Sequence, residues 1–126
     1  MNISRGFMII GSLYLLVGIL FGMYMGGSGD HSLAPLHAHI NLLGFTLMMV
    51  FGLTYRQFPQ MTKPILARLH FWLHQVGSLI LLIMLFMMFT GRIEQSAMNP
   101  IAPIAELAIL VGSAIFAYNL FRNSKE

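Results

Sequence analysis

The chain has 126 residues, 57% of them apolar and only 9% charged, with seven basic residues against four acidic ones and no cysteine. That length makes one domain at most, and the chain lacks the charged surface that keeps a soluble domain dispersed. Missing cysteine excludes disulfides, thiolate metal sites and covalently attached c-type haem. The basic residues lie between apolar blocks, a placement that fits membrane topology and not nucleic-acid binding.

A bilayer span needs roughly 20 mostly apolar residues, and the sequence offers four such blocks. The first runs from about residue 6 to 26 without a charge. Its apolar run exceeds the ~7–15 residues of a signal peptide's core and no convincing cleavage site follows, so it is expected to be a retained helix. Gly11, Gly18, Gly22 and Gly26 fall mostly on one of its faces, and the Gly18-xxx-Gly22-xxx-Gly26 spacing lets another helix approach closely. A loop, "GSGDHSLAP", leads to the second helix, about 36 to 58, which Pro59 stops. Pro64 marks the start of the third, about 65 to 90, and Gly91 its end. A polar loop with Arg92, Glu94 and "NPIAP" precedes the fourth, about 102 to 121, and a charged tail follows.

The expected fold is therefore all-α, an integral membrane four-helix bundle. Arg5, Arg56, Lys63, Arg68, Arg122 and Lys125 fall on one side and Arg92 alone on the other, which predicts cytoplasmic N- and C-termini. Asp30, His31 and the histidines of "PLHAHINLLG" then lie toward the outer face. Trp72 and Tyr55 are expected in the aromatic belt at the cytoplasmic boundary.

His37 and His39 stand at the head of an apolar run, where ionisable groups are costly and generally face a partner or a cavity. Each helical residue turns ~100°, so the two imidazoles lie roughly 200° apart and cannot bind one ion or one haem face. They can be interfacial side chains, half solvated at a helix end. Alternatively, the helix stands between two sites and gives one histidine to each. The second ligand then comes from another copy of the chain: in a ring about the membrane normal, His37 of one protomer faces His39 of its neighbour. The two differ in height by only ~3 Å, which suits bis-histidine haem ligation.

At His37-Ala38-His39 the chain resembles subunit I of the haem–copper oxidases and nitric oxide reductases, the cbb3-type branch above all. There an H-x-H pair near the outer face ligates a low-spin and a high-spin haem. "HAHINLLG" and "HFWLH" also look like short proteins related to that subunit. The family fold is twelve helices in three arcs of four, and one arc has the size of this chain. The resemblance thus implies a homotrimer, with b-type haem on His37 and His39. It implies haem binding, while the chain departs from the family in having no adjacent His-His pair and no histidine deep in the outer half to supply the family's copper site, which tells against oxygen reduction.

"RLHFWLHQVG" puts His70 and His74 at i and i+4 on one helix face, a spacing able to chelate copper or zinc. No Glu follows His70, so the metalloprotease pattern is absent. The pair is expected near the cytoplasmic boundary, nearly a membrane thickness from His37 and His39. The alternative is a partly hydrated helix entrance with Arg68 snorkelling to the headgroups. Glu106, early in the fourth helix, either suits the helix dipole or accepts a hydrogen bond from a ligand histidine. The many methionines read as packing or lipid-facing surface, and His31 as a solvated loop residue.

The sequence thus reads as a protein of the bacterial inner membrane that binds haem b between protomers and acts in electron transfer or diatomic-gas chemistry, with lipid, further copies of itself and a quinol or redox protein as partners. The rival readings are a haem-free copper- or zinc-handling protein and an oxidase-assembly subunit.

Overall fold

The computed structural model describes residues 1–125. It contains four helices long and apolar enough to cross a bilayer: α1 (Ile3–Ser28), α2 (Ala34–Gln57), α3 (Ile65–Phe89) and α4 (Ile101–Asn123). This is the make-up of a multi-pass membrane protein. Each helix begins and ends within three residues of the bounds predicted from hydropathy and breakers.

The ends follow from local chemistry. Asn2 caps α1, its side chain accepting the Arg5 N–H at 3.0 Å, and Gly29 closes the helix in the left-handed region at φ 72°. Pro35 lies in the first turn of α2, where its missing N–H costs nothing. A short 3-10 turn, Pro59–Thr62, joins α2 to α3, and another, Gln95–Met98, precedes α4. Gly91, at φ 75°, takes up the left-handed conformation just beyond α3.

The second helix departs from the regular form expected. Between α-helical turns at Ala34–His39 and Leu47–Gln57, the segment Ile40–Thr46 is a π-helix. Its last bond reaches back five residues, from Leu47 N–H to the Leu42 carbonyl. From Leu47 on the helix is α again, and where bonding returns from five residues back to four, one carbonyl is passed over; by that count it is Leu43's.

Helix α1 packs along α2, and α3 pairs with α4. The glycine stripe of α1 serves this contact inside the chain. A Cβ on Gly18 would collide with the Asn41 side chain, and one on Gly22 would come 3.2 Å from the His37 ring, whereas Gly26 has open space around it. In return the Tyr14 ring covers Gly44, leaving a Cβ there only 2.5 Å from Tyr14 Cγ. At the end holding the termini, Phe7, Phe51, Tyr55 and Phe71 form an aromatic core with Met48 and Met61, flanked by Phe116. Outward faces remain apolar, with Leu13, Leu16 and Leu20 of α1 and Ile104, Leu107 and Leu110 of α4 all exposed.

Candidate functional site

His37 and His39 occupy the last turn before the π segment and face different surroundings, as their spacing required. His39 is exposed. Its Nδ1 lies 2.7 Å from the Pro35 carbonyl, one turn back. A carbonyl only accepts, so Nδ1 carries the proton and donates it, leaving the Nε2 lone pair open toward the outside of the chain. This is the state in which a histidine ligates a metal, with ring orientation and tautomer fixed from behind.

His37 is half-buried and packs against Gly22 of α1. Its Nε2 accepts a hydrogen bond from Asn41 Nδ2 at 3.2 Å. His37 Nδ1 and Asn41 Oδ1 are buried without a partner. Ligation through His37 Nε2 therefore requires the Asn41 amide to turn aside. His39 fits an axial haem ligand as it stands; His37 fits one after a single side-chain rotation.

The second pair is more deeply enclosed than a helix entrance would be. His70 and His74 are fully buried, at no hydrated helix entrance, and are enclosed by aromatic rings. Phe51 stands edge-on to both, its centroid 4.4 Å from that of His70 and 5.2 Å from that of His74. Phe7 covers both from α1, at 5.0 and 6.1 Å. His70 Nδ1 is 2.9 Å from the Tyr55 hydroxyl. Tyr55 is only 1% exposed, so its place is this core and not the aromatic belt assigned to it from sequence; Trp72 does face outward.

His74 Nε2 donates to the Leu43 carbonyl at 3.0 Å. That carbonyl is the one the π segment leaves over, so the irregularity of α2 and the position of His74 explain each other. His74 thus meets α2 at Leu43, four residues beyond His39 and nearer to it than expected, whereas His70 meets α2 at Tyr55, ~24 Å beyond His39 along a helix at ~1.5 Å per residue.

The remaining candidates stand apart from both pairs. Glu106 is exposed on α4, and among the described residues it hydrogen-bonds to neither His37 nor His39. His31 is exposed in the loop, with Nδ1 3.0 Å from the Gly29 carbonyl. No group of three or more metal-ligating side chains occurs among the described residues. Asn41, Tyr55 and the Leu43 carbonyl escaped sequence reading. Asn41 alone left a signal there, its i+4 spacing from His37.

The chain matches no family profile, no curated protein and no solved structure. The functional reading therefore stands on the geometry of the two pairs.

At the end of the bundle where the termini meet, Arg5, Arg56 and Arg68 line a cleft of about 870 Å³ together with Asn2, Ser4, Thr62 and Tyr55. Lys125 is held at the same end, its carbonyl accepting from Gln60 Nε2 at 2.9 Å. Arg5, Arg56, Arg68 and Lys125 thus collect at one end of the helices, opposite His37 and His39, and Arg92 stands apart from them beyond the far end of α3.

Proposed function

We propose that the chain is a membrane b-type haem protein, holding haem between copies through His39 of one and His37 of the next. The observation that carries this reading is His39, an exposed imidazole on an apolar helix with Nδ1 tied to the Pro35 carbonyl and Nε2 open. His37 faces a different way, so one helix serves two neighbours, and a closed ring of such chains repeats the site at every interface. Three copies of four helices match the twelve-helix subunit that the "HAHINLLG" segment resembles. The exposed leucines of α1 and α4 leave apolar surface for lipid and for those neighbours.

A haem held by His39 of one copy and His37 of the next would supply one-electron chemistry, and ligation by two histidines would favour electron transfer or sensing over catalysis. The residues' own work is positional. Pro35 fixes the tautomer of His39, Asn41 holds His37 against α1 until haem is taken up, and Glu106 is available to a ligand histidine of an adjoining copy. The cluster of basic residues at the termini end supports cytoplasmic termini and hence the outer leaflet for the haem, in a bacterial inner membrane. A quinol or a redox protein is the electron partner in this reading.

The test is the oxidised and reduced visible spectrum of the detergent-purified protein, with a pyridine haemochrome assay. The expected result is a sharp low-spin b-type spectrum at about one haem per chain. A protein free of haem after expression with ample haem supply defeats the reading.

A further inference from the structure

The buried pair has a chemistry of its own. Each imidazole has one nitrogen tied and the other bare: His74 Nε2 is spent on the Leu43 carbonyl and His70 Nδ1 on the Tyr55 hydroxyl. His74 Nδ1 and His70 Nε2 are buried with no partner. A carbonyl takes only donors, so His74 Nδ1 is a lone pair. The Tyr55 hydroxyl both donates and accepts, so it can accept from a His70 proton on Nδ1 and leave His70 Nε2 a lone pair as well. Unpaired buried nitrogens are costly, and metal-binding histidines are oriented from behind in this manner.

We propose that His70 and His74 bind one soft monovalent cation, copper(I), between His70 Nε2 and His74 Nδ1. This inference rests on the buried pair alone and not on the haem reading.

Geometry and charge select the ion. A metal–imidazole bond of ~2 Å places the ion ~3.2 Å from the ring centre, so two rings sharing an ion have centres at most ~6.4 Å apart. The His70 and His74 centroids are 6.2 Å apart, close to that limit. Such a spacing suits a nearly linear, two-coordinate ion and not a tetrahedral one. Among the described residues no carboxylate is at hand: Asp30 and Glu94 lie in loops and Glu106 is exposed on α4. Two neutral imidazoles leave the ion's full charge in an apolar nest, and the cost of burying charge rises with its square, which disfavours zinc(II) and copper(II). The rings of Phe7 and Phe51 flank both imidazoles and keep water from the space between them. Ser78 Oγ, one turn farther along the same face of α3, is likewise buried and unpartnered and continues the polar column.

The experiment is an anaerobic titration of the full-length protein in detergent with copper(I) supplied as its coloured bicinchoninate complex. The expected result is one copper(I) withdrawn per chain, with a copper-edge absorption spectrum of a two-coordinate nitrogen site. His70→Gln and His74→Gln are each expected to abolish this uptake while haem per chain stays unchanged, which separates this inference from the haem reading. Tyr55→Phe preserves the packing, removes the partner of His70 Nδ1, and is expected to weaken copper(I) binding ~10–100-fold. No copper(I) uptake by the wild type overturns the proposal. So does equal uptake by a His70→Gln/His74→Gln variant of unchanged far-ultraviolet circular dichroism and elution, or displacement of the ion by equimolar zinc(II).

Discussion

The two histidine pairs contain the same side chains within one membrane chain, yet their surroundings have little in common. His37 and His39 sit near a helix end, one half-buried and one exposed, and their hydrogen bonds run only to residues of their own helix, Asn41 and Pro35. His70 and His74 are fully buried and bond to a different helix, through Tyr55 and Leu43 of α2. A side chain held by its own helix keeps its orientation when neighbours change and can be offered to another molecule. One bonded across helices helps to fix how those helices pack, and removing it disturbs both. The outer pair is free to meet another molecule; the inner pair is part of the fold as well as a candidate site.

The largest expected effect tests the outer pair. If every haem draws one ligand from each class, His39→Ala and His37→Ala must each abolish the bis-histidine spectrum, with folding retained because neither side chain joins two helices by a hydrogen bond. Haemochrome assay and far-ultraviolet circular dichroism check this together. Full low-spin occupancy in either variant breaks the interprotomer arrangement and makes the outer pair an ordinary polar helix end.

The inner pair should respond in stability. His74→Ala opens a hole in the aromatic nest and strands the Leu43 carbonyl, which no backbone donor reaches. The expected loss is about 2–4 kcal/mol, measured by reversible unfolding in mixed detergent. A loss below about 0.5 kcal/mol, the ordinary range for surface changes, would mean that the π segment satisfies its carbonyl otherwise. The contrast between the pairs would then weaken.

What the sequence disclosed and what it hid divides along the same line. The four spans were legible because bilayer thickness sets helix length and Pro59, Pro64 and Gly91 mark ends. The divergence of His37 from His39 was legible because it depends on helical periodicity alone. The π segment at Ile40–Thr46 was not, since one residue's slip in hydrogen-bond register depends on what the freed carbonyl meets, and here it meets His74 from another helix. Tyr55 was misplaced for a related reason. Hydropathy locates it at a span end, whereas packing against Phe7 and Phe116 and a hydrogen bond to His70 draw it inward. Properties set within one helix could be read in advance; those set between helices could not.

The smallest expected effect lies in the loop joining α1 and α2, beside the outer pair and outside the spans. The Asp30 carboxylate accepts the Ser32 backbone N–H at 2.9 Å. That bond, with one from the Ser32 side chain, holds the Asp30 carboxyl below the usual carboxylate range. A carboxyl that is more acidic folded than unfolded adds stability above its unfolded pKa and loses it as pH falls through the folded value. The loop is therefore expected to keep its form at neutral pH and to loosen below about pH 4, the ordinary range of an aspartate. Hydrogen exchange at the Ser32 amide, corrected for the intrinsic rate at each pH, should show protection falling across that window. In Asp30→Asn, whose amide oxygen can still accept but does not titrate, protection should be nearly constant with pH. Because Asp30 makes no contact with the α2–α3 hydrogen bonds, His74 and the π segment should be indifferent to the same change. Protection lost in step at Ser32 and along Ile40–Thr46 would show instead that the outer loop and the buried pair unfold as one unit, and the two regions could no longer be treated as separate.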